Sequence, residues 1–283
     1  MTRDEPPPAP MAPPEDRDDL ARTPWGIIEI AGAVLAVLFA LSVTIVTAGI
    51  VLRFVLNIPF DDAESRAGGT ALLVLAQVIV DLLAVGVAAV LSLGVHRRGP
   101  RAWGLRRQRP IAPGLCLAVF VSCFIAVIVY QYVTNLIGPD ILKSESNVPE
   151  SLFRHPAVLP LTVLLVVFVA PVAEEIFFRG FIFNGLRRQL GNVAAALIRA
   201  LGRAEIGDAG RRAWGMWSAA VVSGFLFALI HGHIGLIIPF TIIGMLFAWL
   251  VARTGSLWNA IAVHMAFNSV SVIALLVTRA GGA

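Results

Sequence analysis

Most of the ionisable groups that fall within apolar stretches of this chain sit in three short clusters. The first is Glu174-Glu175-Ile176-Phe177-Phe178-Arg179. On a helix, neighbouring side chains diverge by about 100°, so the two carboxylates are expected to face different ways and not to serve one purpose. Glu175 and Arg179 stand at i and i+4 with the acid first, the favourable order for an ion pair. Glu174 is then free to act as a general base. A pair snorkelling to the membrane surface accounts for Glu175 and Arg179 but leaves Glu174 without a role. The second cluster runs from Phe227 to His231, which places ring and imidazole on one helix face. Gly232 and Gly235 follow and predict that the helix breaks there. The third cluster is His264 to Asn268, again at i and i+4. Two polar side chains on one face of an apolar helix need a polar partner or water, and an interhelical hydrogen bond is the plain alternative.

Together these clusters supply two Glu, an Arg, two His and an Asn. No Ser-His-Asp set, Gly-rich phosphate loop or HEXXH zinc motif accompanies them. Two chemistries remain open. One is hydrolysis by an activated water, with a carboxylate base, an imidazole and an amide donor to an oxyanion. The other is a zinc site made of Glu174, His231 and His264 with one open position.

The elements that carry the clusters belong in a membrane. Of 283 residues, 58% are hydrophobic and 14% are charged, against about 25% charged in soluble domains. This balance excludes an ordinary soluble globule and a disordered chain. The net charge is +4, yet no basic stretch carries interleaved aromatics, so no nucleic-acid partner is expected. Apolar runs occupy 27–55, 71–95, 111–137, 157–173, 216–230, 234–251 and 257–277. In lipid, backbone groups must be satisfied internally, so the expected fold is an all-α polytopic membrane helix bundle with a polar intramembrane cavity. Seven spans are expected, with eight as the alternative. Residues 1–24 hold seven of the 17 prolines and read as a disordered tail. Residues 25–137 read as three N-terminal transmembrane helices, and 157–278 as the membrane segment that carries the three clusters. Cys116 and Cys123 lie seven apart, about 10 Å along a helix, too far for a disulfide.

Arginine sets the expected orientation. Six arginines fall in 96–110 and six in 187–213, so both loops are expected to be cytoplasmic. The stretch 157–190 must then cross once, as one long helix, with the N-terminus inside and the C-terminus outside. Residues 192–208 are expected to form a helix at the membrane surface. Asp81 lies mid-span, and Glu29 beside Trp25 at an interface.

The motifs EExxxR at 174–179, FxxxH at 227–231, FxxxG at 240–244 and HxxxN at 264–268 follow one another in the order of a known family. Over residues 157–278 the chain resembles the CPBP family, the CAAX prenyl protease and bacteriocin-processing group, also called Abi. The resemblance implies an intramembrane endopeptidase of the cell membrane. It implies Glu174 as the base that activates water, with Glu175 and Arg179 supporting it. It implies His231 as assisting the water, and His264 and Asn268 as bordering the oxyanion. The group is labelled metalloprotease in some accounts and given a metal-free glutamate mechanism in others, so zinc stays open here. The expected partners are the lipid bilayer and a peptide or membrane-protein substrate. A non-catalytic scaffold or bacteriocin-immunity partner is the competing class, and a transporter or proton relay ranks behind it.

One consequence is geometric. If both helices flanking residues 231–235 crossed fully, His231 would sit near the face opposite His264. A shared site therefore requires that this turn lie within membrane depth. It also requires the His231 and Glu174 side chains to approach within about 12 Å, so that direct or one-water contact is attainable.

Overall fold

The computed structural model describes residues 23–105, 112–139, 142, 150–203 and 205–281. Most of the stretch read as a tail (1–22), the loop residues Arg106, Arg107 and Arg109, and Lys143 lie outside them. Among the described residues every regular element is helical. Seven helices are long and apolar enough to cross a membrane: α1 (Ile27–Val55), α2 (Ala67–Val95), α3 (Pro113–Ile137), α4 (Leu159–Ala200), α5 (Asp208–Leu229), α6 (Ile234–Thr254) and α7 (Leu257–Ala280).

Burial separates the helices into a core and a surround. The most apolar stretch of α1 is only 6% buried within the protein, while that of α6 is 56% buried. Side chains such as Ile28, Phe39 and Phe54 stand exposed along α1. An uninterrupted apolar surface of this kind is at home in lipid and not in water. The main packed core gathers aromatic side chains of α4, α5 and α6, among them Phe181, Phe183, Phe227 and Phe247.

The expected single crossing by 157–190 corresponds to α4. This helix has 42 residues, about 60 Å at the usual rise, and exceeds the hydrocarbon thickness of about 30 Å. The separate surface helix expected at 192–208 is not what forms. Helix α4 continues unbroken through Ala200, and Asp208 already opens α5. Continuation keeps the backbone hydrogen bonds that a break would lose, and the last turns of α4 lie against α5.

The chain just before α1 is docked rather than loose. Thr23, at the end of the proposed tail, is buried, and its Oγ1 donates to the Asn184 carbonyl at 3.3 Å. Trp25 is fully buried. It donates Nε1–H to the Phe181 carbonyl at 2.9 Å and stacks on the Phe181 ring at 5.4 Å. Glu29 accepts the Gly26 N–H at 2.9 Å and meets His96 at 3.3 Å, so it closes the first turn of α1. Cys116 and Cys123 are both free thiols, as their spacing on α3 predicts.

Helices α5 and α6 cross at Gly224 and Gly244. A Cβ at Gly244 would come within 2.5 Å of Gly224 Cα and 3.1 Å of Arg179 Nη2. Small residues let membrane helices approach this closely. Gly244→Ala is expected to cost about 1–3 kcal/mol through overpacking, read as a lower thermal midpoint in detergent. Gly94→Ala, where a Cβ meets nothing within 4 Å, is the control; equal midpoints would show that the crossing tolerates the methyl group.

Candidate active site

Helix α4 supplies the centre. From Glu175 to Phe183 its backbone winds as a π-helix, and all nine residues are buried. Wide turns of this type replace i+4 bonds by i+5 bonds, which leaves main-chain oxygens for other donors. Ser223 donates to the Phe178 carbonyl at 2.8 Å, and Trp25 takes that of Phe181. A second wide turn at Leu165–Val169 offers the Val166 carbonyl, to which Asn268 Nδ2 donates at 2.8 Å.

Glu175 and Arg179 form the ion pair that their spacing predicts. Arg179 Nη1 lies 2.9 Å from Glu175 Oε1, and neither side chain reaches the surface. The guanidinium carbon lies 4.4 Å from the Phe227 ring centre and 5.2 Å from that of Phe247. Its Nε and Nη2 have no hydrogen-bond acceptor among the described residues; the aromatic faces hold this part of the cation instead.

The two adjacent carboxylates diverge, as the helical wheel implies, yet one imidazole reaches both. Both meet His264. Its Nδ1 lies 3.0 Å from Glu175 Oε1, and its Nε2 lies 3.7 Å from Glu174 Oε2. The physical reason is the shape of imidazole. Its two nitrogens point out of different ring edges, so one ring on α7 spans two diverging groups on α4. Since a carboxylate accepts, Nδ1 carries the hydrogen of the Glu175 contact. The Glu174 side chain is 13% exposed while that of Glu175 is sealed, which makes Glu174 the carboxylate that a substrate or water can reach.

His231 follows the last turn of α5, where Gly232 turns the chain at φ +68°, as its glycines predict. Its Nδ1 lies 2.9 Å from the Phe227 carbonyl. A carbonyl only accepts, so Nδ1 bears the proton and Nε2 offers a lone pair. The ring packs edge-on to Phe227 and Phe240, with centroids 4.8 and 4.5 Å away. His231, Glu174, His264 and Asn268 all line one cavity of about 450 Å³, with Phe227 and Phe240.

Sequence reading singled out Phe227 and Phe240 only as motif positions and missed Phe247, which lies 5.2 Å from His264. A signal was present: Phe240, Gly244 and Phe247 fall at i, i+4 and i+7 on α6, one helix face.

The zinc set can be tested against this arrangement. Nδ1 of His264 is engaged by Glu175 and Nδ1 of His231 by a carbonyl, which leaves Nε2 of each ring as the nitrogen that could ligate. Among the described residues no three His, Cys, Asp or Glu side chains gather as a metal-binding group. As placed, Glu174, His231 and His264 line a cavity without converging as ligands.

Fold and site define a multi-pass helical membrane protein with carboxylates and imidazoles around a buried cavity. Residues 156–270 match the family model described as "Type II CAAX prenyl endopeptidase Rce1-like". This segment holds all four motifs, so over it the chain is similar to the CAAX prenyl endopeptidase family that they resemble. The chain is also 23% identical, over 171 residues, to a protein of Bacillus subtilis (strain 168) named "Putative membrane peptidase YdiL". That match covers 60% of this chain and 60% of the relative's length. No solved structure matches.

Proposed function

We propose that this chain is an intramembrane endopeptidase in which Glu174 activates the water that hydrolyses a peptide bond. The observation that carries this reading is the single cavity bordered by Glu174, His231, His264 and Asn268, which come from α4, the turn after α5, and α7.

In this mechanism a water sits between Glu174 and His231 Nε2. Both present acceptors, so together they take its two hydrogens and leave an oxygen lone pair directed at the substrate carbonyl. The new C–O bond forms as one proton passes to Glu174, and the carbonyl electrons move onto oxygen. The second amide N–H of Asn268 donates to that oxyanion, and the His264 ring packs beside it. Glu174 then hands its proton to the leaving nitrogen as the C–N bond breaks. The products are a carboxyl group and an amine, with no redox change. Glu175, fixed by Arg179, holds His264 through Nδ1–H. No step passes through a metal.

Residues 157–278 form the catalytic core in this reading. Residues 25–137 contribute to the cavity wall, since Leu41 and Thr44 of α1 and Gln77 and Val80 of α2 line it. The arginine-rich loops face the cytoplasm, as does the N-terminus, with the bundle in the cell membrane. The first substrate to test is a prenylated C-terminal peptide; a leader-bearing peptide and a regulatory membrane protein follow.

The test uses the purified full chain in phosphatidylcholine vesicles with an internally quenched, farnesylated peptide ending in a CaaX box. Mass spectrometry of the products in ¹⁸O-water should find one heavy oxygen in the new carboxyl group. His231→Ala is expected to lower kcat about 100-fold or more with little change in peptide affinity. Undiminished cleavage by both His231→Ala and Glu174→Gln would overturn the mechanism.

A further inference from the structure

The mechanism above leaves one buried acid unused. Asp81 lies within α2 with 5% of its surface exposed. Its Oδ1 accepts a hydrogen bond from Gln77 Nε2 at 2.9 Å. Its Oδ2 has no partner among the described residues. A buried acceptor left unmade costs stability, and more so inside a membrane, unless a donor arrives from elsewhere.

The surroundings say where such a donor would come from. Asp81 lines a second cavity, of about 350 Å³, whose walls are largely apolar side chains of α1, α2 and α5, including Val37, Ala84 and Leu229. Glu174 lines this cavity as well as the one that holds His231 and His264. Leu41, Gln77, Val80 and Ile230 are shared between them in the same way. The base therefore stands where the two spaces meet. A peptide whose scissile carbonyl lies against Glu174 extends on one side into the second cavity. Its side chains find apolar walls there, but its main-chain N–H groups need acceptors.

We infer that Asp81 binds the substrate backbone: Oδ2 accepts a hydrogen bond from a main-chain N–H close to the scissile bond, while Gln77 holds the carboxylate in place. This inference rests on the proposed peptidase reading and adds a specific requirement to it, an unsubstituted amide nitrogen at one position of the peptide.

The test reads binding separately from cleavage. A dansylated, farnesylated CaaX hexapeptide is titrated by anisotropy against the detergent-purified full chain carrying Glu174→Gln. Asp81→Asn is isosteric. Its amide oxygen stays on the Gln77 N–H, so its NH₂ turns to the cavity and the acceptor is lost. The Kd should rise about tenfold or more. In the double variant Gln77→Glu/Asp81→Asn the carboxylate introduced at position 77 accepts from the amide introduced at position 81. That turns the amide oxygen back to the cavity, and affinity should largely return. N-methylation of the peptide, one nitrogen at a time, should reproduce the loss at one position against Asp81 and add nothing there against Asp81→Asn.

An unchanged Kd in Asp81→Asn overturns the inference. So does a loss that neither the exchange nor N-methylation reproduces, since that is the pattern of a structural role. If the peptide binds with the expected pattern but protein with Glu174 intact does not cleave it, the peptidase reading fails and the backbone contact stands. If cleavage occurs and Asp81→Asn binds normally, only the contact fails. No binding by any form counts against both.

Discussion

Glu174→Gln is expected to reduce peptide cleavage by about 10²–10⁴-fold, the usual contribution of a positioned general base, in protein that folds as well as wild type. Glutamine keeps the size of the side chain and its place in the cavity wall. It cannot take a proton from water, and its NH₂ group would compete for the lone pair of His231 Nε2. The stability expectation follows from the site: Glu174 borders a cavity, is partly exposed and stands 3.7 Å from His264, beyond hydrogen-bond distance, so no short contact is lost. Kinetics and thermal midpoint on the same preparation check both halves. Cleavage within a few-fold of wild type in a folded variant would remove Glu174 from the chemistry. The neighbouring acid is the contrast. Glu175→Gln is expected to lower the midpoint as well as activity, because it removes the partner of a cation with no surface exposure.

Arg179→Met should produce the largest loss of stability. The change strands the Glu175 carboxylate in a site closed to solvent, with His264 as its remaining donor. Removing one member of a buried pair costs about 3–5 kcal/mol, most of it the penalty of the charge left behind. The contact of the guanidinium with Phe227 is lost as well. The double variant Glu175→Gln/Arg179→Met removes both charges. It should recover much of the midpoint, since neutral replacements of buried pairs are often well tolerated. Glutamine can still accept the Nδ1–H of His264. Thermal unfolding of the four proteins in one detergent closes the cycle. A single variant as stable as wild type, or a double variant no better than the single, would show that the pair does not carry the stability assigned to it.

Local spacing made a good part of this protein legible. Long runs with few charges can satisfy their backbones in lipid only as helices, and seven such helices are present among the described residues. The separation of four between Glu175 and Arg179 suffices for an ion pair on any helix, and the pair forms. Gly232 following His231 marks a helix end, because glycine enters positive φ without steric cost. Each of these is a property of a few consecutive residues.

Other features depend on how helices cross, which no short stretch encodes. His264 reaches Glu175 from 89 positions away. That the same ring also approaches Glu174 is nothing a helical wheel of α4 can show. The enclosure of Arg179 by Phe227 and Phe247 requires α5 and α6 to approach at Gly224 and Gly244. Asn268 meets the Val166 carbonyl only where α4 widens and α7 passes beside it. The unbroken run of α4 to Ala200 was not legible either, because a polar amphipathic stretch reads equally as a surface helix or as the end of a longer one. By itself the sequence determined that the chain forms apolar helices and which residue types stand at helical spacing, since those follow from backbone hydrogen bonding and the solvent. Only the tertiary structure decided which of those residues share a cavity, since convergence depends on close helix crossings and on wide turns that redirect main-chain oxygens.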